Sequence, residues 1–325
     1  MNFKLQNEPF FIIGCGRSGT TMLRLMLNDH PGIRVPRETP FLPRLMQQLP
    51  LNSPLSEDDT NLAFNLITNH WKWETWAVTP ERLRNTISSL KHPFLGQLIS
   101  AMYLSCSNPE NKPRWGDKSI ACTQKVHLLH QVFPHAKFIH LIRDARDVCM
   151  SWQNAYLRSN SSAFKHGQSI SDAAKHWSHM VNAAVESGQH LGSEFYLEIR
   201  YEDLVLKTEE TLKNICTFIG EEYDSRMLDF YKNSAVKEIA IDKPHHAQHH
   251  TKTRRPPNPT DTYRWRAEMS LADIVLVEAH AGQMMDRIGQ TRHFQGMQRI
   301  IPYSFRASCK LKNKLEKILL PTNED

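Results

Sequence analysis

The chain contains no stretch of about 18 uninterrupted apolar residues, so no membrane-spanning helix is expected. It has no C-x-x-C pair: Cys15, Cys106, Cys122, Cys149, Cys216 and Cys309 stand apart, which argues against zinc ribbons and thioredoxin-type redox sites. With 325 residues it is too long to need disulfide staples, and its thiols read as the reduced thiols of a cytoplasmic protein. Charge of one sign is also scarce. Lys and Arg number 40 against 34 Asp and Glu, a formal +6 that suits a small polyanionic ligand and is too weak for nucleic acid. No internal repeat is found. The first apolar run lasts only from Phe10 to Ile13 before a glycine turn, which reads as strand and loop and not as a secretory leader. What is present, 40% apolar and 23% charged residues, excludes a disordered chain, a collagen and a disulfide miniprotein.

Strand patterns alternate with helical ones. Pro9 to Gly14 is apolar throughout, as expected for a strand buried on both faces of a parallel sheet. A helix is predicted from Ser18 to Asn28, with Met22, Leu23, Met26 and Leu27 at helical spacing, and Asp29-His30-Pro31-Gly32 ends it. Ile33-Arg34-Val35 is a short extended piece. Residues 56–107 read as weakly amphipathic helices carrying Trp71, Trp73 and Trp76. Pro113 and Gly116 suggest a loop leading to Lys118. Lys137 to Ile142 is the second strong strand and runs into a helix ending near Tyr156. Ser159 to Ser171 is polar and reads as a mobile insertion. A helix over Ala173–Gln189, a strand over Glu194–Ile199, helices near 207–219 and 224–232, a long basic loop over 242–262 and a helix over Ser270–Ile288 complete the chain. The alternation predicts an α/β fold with a doubly wound parallel sheet. One domain is expected over 1–290, with a helical insert at about 43–110 and a basic tail over 291–325.

The turn Gly14-Cys15-Gly16-Arg17-Ser18-Gly19-Thr20-Thr21 lies between strand and helix, where a phosphate-binding loop belongs. Gly14 and Gly19 match the two glycines of G-x-x-x-x-G-K-[ST], but Thr20 stands where the lysine should be and the cation is moved to Arg17. The missing lysine is the one that bridges β- and γ-phosphates beside magnesium. The loop therefore suits a single 5′-phosphate carrying another anionic group, held by backbone N–H groups, the Ser18, Thr20 and Thr21 hydroxyls and Arg17, with no metal required. A turn that merely joins strand to helix is the plain alternative.

Phe138 to Asp144 closes the second strand, and Arg143 falls at its carboxyl end, where open α/β sheets bind ligands. Ser151 lies eight positions on (151 − 143), two turns into the next helix, so the two can share a second phosphate. A surface pair of Arg143 with Asp144 or Asp147 is an equal alternative. A Walker-B reading, with Asp144 on magnesium, would make the chain a P-loop kinase or NTPase using ATP, and the absent lysine weighs against it.

Together these motifs resemble the sulfotransferases that use 3′-phosphoadenylyl sulfate. Gly16 to Thr21 is similar to the family's 5′-phosphosulfate loop, and Arg143 to Ser151 to its 3′-phosphate motif. Arg200-Tyr201-Glu202-Asp203-Leu204 is similar to a run that places Tyr201 near the adenine. The resemblance implies a P-loop-containing three-layer α/β/α fold. It also implies sulfuryl transfer from 3′-phosphoadenylyl sulfate to a hydroxyl, or less readily an amine. Arginine at 17 brings the match toward the tyrosylprotein and bacterial members. By the same resemblance Lys118, in Gly116-Asp117-Lys118-Ser119, joins Arg17 as a cation at the leaving oxygen. Glu38, in Glu38-Thr39-Pro40-Phe41-Leu42-Pro43-Arg44, is the general base, expected to be raised toward neutral by burial. A salt bridge of Glu38 to Arg37 or Arg44 is its bland alternative, and His140 is a rival base. The tyrosylprotein members have arginine where this chain has Pro40, which turns the expectation toward a small-molecule, carbohydrate or lipid acceptor. Ile120 also replaces a proline.

Four weaker features remain. His245, His246, His249 and His250 would hold zinc if helical, but Pro244 and Pro256-Pro257 favour a loop. Arg254, Arg255, Arg264 and Trp265 are candidates to close over the nucleotide, Arg264 foremost. The three tryptophans either stack on an acceptor or pack the core, the second being expected. The basic tail from Arg299 to Lys317 is a solvated helix face or a contact for an anionic membrane surface. A non-catalytic nucleotide-binding protein of the same fold is the third functional alternative.

Overall fold

The computed structural model describes residues 8–76, 78–106, 110–118, 120–159, 161–233, 252–302 and 304. They form two compact units. One comprises the segments up to Ile142 and from Ala183 to Asp261; the other comprises Arg143–Asn182 and the residues from Thr262 on.

The first unit is built on a five-stranded sheet of order β2-β3-β1-β4-β5, every pairing parallel. The strands are β1 (Phe10–Ile13), β2 (Ile33–Arg34), β3 (Arg114–Lys118), β4 (Lys137–Ile142) and β5 (Tyr196–Arg200). Alternate side chains of β1 enter opposite layers, because successive strand residues point to opposite faces. Phe11 and Ile13 join one apolar cluster with Phe138, Trp115 and the helical insert, whereas Phe10 and Ile12 join another with Leu23, Ile139 and Ile215. A strand buried on both sides needs the unbroken apolar run that the sequence displays.

β3 corrects the expectation of a loop. Arg-Trp-Gly-Asp-Lys lacks the β-branched residues of a typical strand, yet it lies between β2 and β1, with Phe10 opposite Gly116 and Ile12 opposite Lys118. The Phe10 ring lies against Gly116, and a β-carbon there would collide with it. Glycine is therefore a packing requirement of the sheet at this position.

Helix α1 (Thr20–Asn28) follows β1, and helices α2 (Leu42–Gln48), α3 (Glu57–Thr68), α4 (Pro80–Ser88) and α5 (Leu95–Ala101) form the insert between β2 and β3. Ser56 caps α3 in a reciprocal capping box with Asp59, and Thr79 caps α4. α6 (Val126–Val132) connects β3 to β4. α9 (Tyr201–Leu206), a short helix beyond the sequence reading, follows β5 directly, and α10 (Thr208–Ile219) ends on Gly220 in the left-handed conformation.

The second unit contains α7 (Ala145–Ser159), the start of α8 (Ile170–Leu191), the short helix Trp265–Glu268 and the helix Leu271–Arg287. The polar segment expected to be mobile is packed here. Ser162–Gly167 forms a helical turn whose Phe164 and His166 rings meet Trp152 edge-on at 5.9 and 5.8 Å. Among the described residues Cys15, Cys122, Cys149 and Cys216 are buried thiols outside any disulfide. Among the described residues no helix is long and apolar enough to cross a membrane. His245, His246, His249 and His250 lie outside the described residues, as does most of the basic tail.

Candidate active site

The carboxyl ends of β2, β3 and β1 are neighbours in the sheet, and each leads into a segment singled out by the sequence. After β1 the chain turns through Arg17 and Gly19, both in the left-handed region at φ 71° and 92°. Gly19 is required there twice over: a side chain would be strained at that φ, and its β-carbon would run into the Tyr201 ring. Arg17 is the uncommon case, a long-chain cation held where L-residues are disfavoured, and such strain concentrates at functional turns. Gly14 is clamped by a residue the sequence reading missed. Its N–H donates to Thr123 Oγ1 at 3.1 Å, and the Thr123 hydroxyl donates back to the Gly14 carbonyl.

The loop suits a phosphate. Ser18 is 1% exposed, and its hydroxyl has no hydrogen-bond partner among the described residues, an expense that an anion in the turn would relieve. α1 begins without a side-chain cap and with no acidic residue in its first turn, so its N-terminal partial charge is not offset locally. Thr20 is buried and Gly16 and Thr21 are half-buried. Tyr201, also buried, lies against the loop at Gly19.

Glu38 and Lys118 come together although 80 positions separate them (118 − 38): Lys118 Nζ is 3.4 Å from Glu38 Oε1. A second ammonium, unforeseen from sequence, sits on the other oxygen. Lys72 Nζ donates to Glu38 Oε2 at 2.9 Å. Neither Arg37 nor Arg44 is the partner. Burial pushes the Glu38 carboxyl up, but the two ammoniums, Lys118 foremost, outweigh it and hold the group down at about 2. The expected rise toward neutral is thus reversed. Lys118, only 10% exposed at its side chain, is lowered from its ordinary value by burial, with Glu38 opposing.

Behind this pair lies a buried brace. Thr39, next to Glu38, donates its hydroxyl to Asp117 Oδ1 at 2.6 Å, and Asp117 is next to Lys118. The Tyr103 hydroxyl lies 2.8 Å from the same Thr39 oxygen, and its ring stacks on Trp115 at 4.1 Å. Arg24 of α1, buried, donates to the Val35 carbonyl at 3.3 Å, just ahead of Glu38. His140, the rival base, is fully buried on β4 with Nδ1 2.6 Å from the Tyr196 hydroxyl. Burial first, then Arg200, depresses it to about 3, so it is neutral and out of reach of an acceptor. Trp73 and Trp76 are core residues, whereas Trp71 is 61% exposed.

In the second unit Arg143 pairs with Asp147 at 3.3 Å, and its carbonyl accepts from the Trp177 indole at 3.2 Å. Asp147 also accepts the Trp265 backbone N–H at 2.9 Å. Arg146 makes a two-pronged contact with Asp144 and reaches the fully buried Glu278, with its guanidinium over the Trp265 ring at 3.6 Å. This arrangement engages Asp144 with Arg146 and gives the Walker-B reading no support. Ser151 is half-buried on α7. Arg264 is turned onto Glu268 in a two-pronged pair at 2.8 and 2.6 Å.

A doubly wound parallel sheet with a glycine loop at the carboxyl end of its first strand defines a P-loop-type nucleotide-binding fold. The Sulfotransferase family model matches residues 9–225, and the chain belongs to that family. It is 26% identical over 240 residues to protein-tyrosine sulfotransferase A of Caenorhabditis elegans, covering 73% of this chain and 56% of that protein. It is 25% identical over 221 residues to protein-tyrosine sulfotransferase of Drosophila melanogaster, covering 67% and 39%. The chain thus spans about half the length, or less, of these curated relatives. Among solved structures, the sulfotransferase domain from the curacin biosynthetic pathway superposes with a TM-score of 0.59 at 18% identity, over 88% of this chain and 99% of that one. The sulfotransferase domain of the Synechococcus PCC 7002 olefin synthase gives 0.55 at 23% identity, over 85% and 95%. These two likenesses establish the fold.

Proposed function

We propose that the protein transfers the sulfuryl group of 3′-phosphoadenylyl sulfate to a hydroxyl acceptor by in-line displacement. The observation that carries the reading is the Glu38–Lys118 pair, a carboxylate and a buried ammonium at adjacent strand ends beside a phosphate-type loop that lacks the triphosphate lysine. In this reading Glu38 accepts the proton of the acceptor hydroxyl. Lys118 and Arg17 face the negative charge that develops on the phosphate as its bond to sulfur breaks and the acceptor oxygen bonds to sulfur. Gly16, Arg17, Ser18, Gly19, Thr20 and Thr21 hold the 5′-phosphate, Arg143 and Ser151 the 3′-phosphate, and Tyr201 the adenine. Arg264 would first have to leave Glu268 to take part. No step of this reading calls for a metal.

The named relatives act on protein tyrosine, so a tyrosine hydroxyl joins the small-molecule, carbohydrate and lipid acceptors as a candidate. A labelled-sulfate screen over peptide, carbohydrate, lipid and phenol acceptors ranks them. Calorimetry with adenosine 3′,5′-bisphosphate against ATP–Mg²⁺ tests the donor. Preference for the bisphosphate supports the reading, and preference for ATP–Mg²⁺ replaces it with a P-loop kinase.

A further inference from the structure

Glu38 is shared by two ammonium groups that differ in setting. Lys118 ends a central strand and its side chain is 10% exposed, whereas Lys72 is 26% exposed. Lys72 belongs to the turn Trp71–Trp76, which is pinned by the buried Trp73 and Trp76 stacked at 6.1 Å. The exposed Trp71 ring lies 5.4 Å from its ammonium. The carboxylate therefore has a buried cation at Oε1 and a solvent-side cation at Oε2. A general base must present a lone pair to the proton it takes. An acceptor hydroxyl arriving from solvent finds the outer lone pairs engaged by Lys72 at 2.9 Å.

We propose that Lys72 is a gate on Glu38: it occupies the outer carboxylate oxygen until an acceptor hydroxyl displaces it, and so denies that oxygen to water. The proposal rests on the assignment of Glu38 as base given above. Lys72 can yield because it is a flexible, partly hydrated ammonium that returns to solvent beside Trp71. Lys118, buried at the end of β3 between Glu38 and Asp117, cannot. His70 accepts the Lys72 backbone N–H at its Nδ1 at 3.2 Å, and its imidazole is lowered by its partial burial, then by Arg44 and Lys72. With the gate open and no acceptor, Glu38 would take a proton from water. The sulfur–phosphate oxygen bond would break, the water oxygen would bond to sulfur, and inorganic sulfate and the bisphosphate would be released.

The gate is tested without knowing the acceptor. The full chain is incubated with 3′-phosphoadenylyl sulfate alone and inorganic sulfate is measured. Lys72→Met is expected to raise release about 5-fold or more, and Lys72→Arg, which keeps the cation, to restore the low rate. Glu38→Gln added to Lys72→Met is expected to abolish the rise. The acid limb of the hydrolysis should also move to higher pH in Lys72→Met, because the carboxyl loses a neighbouring cation. Lys72→Gln gives the same readout should the Met variant fail to fold. Bisphosphate calorimetry on each variant separates the two levels of failure. A variant that binds normally but releases sulfate no faster than the wild type overturns the gate alone. A wild-type chain that does not bind the bisphosphate overturns the underlying reading as well.

Discussion

The hydroxyl of Thr39 and the carboxylate of Asp117 meet at 2.6 Å in the interior, and each is the chain neighbour of a proposed catalytic group. Asp117 is fully buried, so removing its donor leaves a carboxylate less satisfied in a low-dielectric setting. Thr39→Val is expected to lower stability by roughly 2 kcal/mol, the worth of a hydrogen bond to a charged group. It should lower kcat more than it raises KM, because Glu38 and Lys118 lose their common anchor. Thr39→Ser should recover both. Denaturant titration and steady-state kinetics check this; a Val variant with wild-type kcat would show that the brace does not set the pair.

Glu38→Gln removes the base and keeps the shape. Turnover should fall about 10²-fold or more while bisphosphate binding is retained. Unchanged turnover on a working acceptor would remove Glu38 from the role.

The same carboxylate gives a pH signature. Its folded value of about 2 lies below the ordinary 4.5, so its stabilising contribution is complete above 4.5 and drains as pH falls toward 2. The difference in thermal midpoint between wild type and Glu38→Gln should therefore be largest near neutrality and shrink on acidification. A difference that is flat from about pH 6 to about pH 2.5 would contradict the ion-pair account.

Gly19→Ala should damage the loop through two causes that separate experimentally. The left-handed φ costs an alanine about 1 kcal/mol, and the Tyr201 ring blocks its β-carbon. Bisphosphate affinity should drop in Gly19→Ala, and the drop should be smaller when the substitution is made in a Tyr201→Ala background, where the space is open. Strict additivity of the two substitutions would mean that the ring contact is not what excludes a side chain.

Arg143→Ala should weaken adenosine 3′,5′-bisphosphate far more than adenosine 5′-phosphate, by the charge-assisted contacts a 3′-phosphate would lose. Equal losses for both nucleotides would show that Arg143 serves Asp147 alone. Arg143→Lys, which retains a charge for buried Asp147, controls for folding.

The parts of the fold that were legible are those where one physical demand dominates. β1 and β4 must be apolar on both faces, and the sequence reading fell within a residue of both. β3 was hidden because Arg114, Asp117 and Lys118 carry a salt bridge, a brace and a catalytic candidate, and Gly116 is shaped by a neighbouring ring. None of these looks like strand propensity. The Ser159–Ser171 segment misled because its anchors, Phe164 and His166, answer to Trp152 on another turn of chain. In the site, the loop could be read from local spacing. Glu38 and Lys118 were reached by family likeness alone, and Lys72 by nothing, since its partner lies 34 positions away (72 − 38) in an element with no motif.

The helical insert hangs between the base and its buried cation, entering after β2 and returning at β3. Its ends are fastened by the Thr39–Asp117 bond, but Lys72 and Tyr103 of the stretch between reach the base and that brace, so the insert takes part in setting the chemistry. The guard on the base belongs to the insert, which ties each insert to its own tolerance for idle hydrolysis.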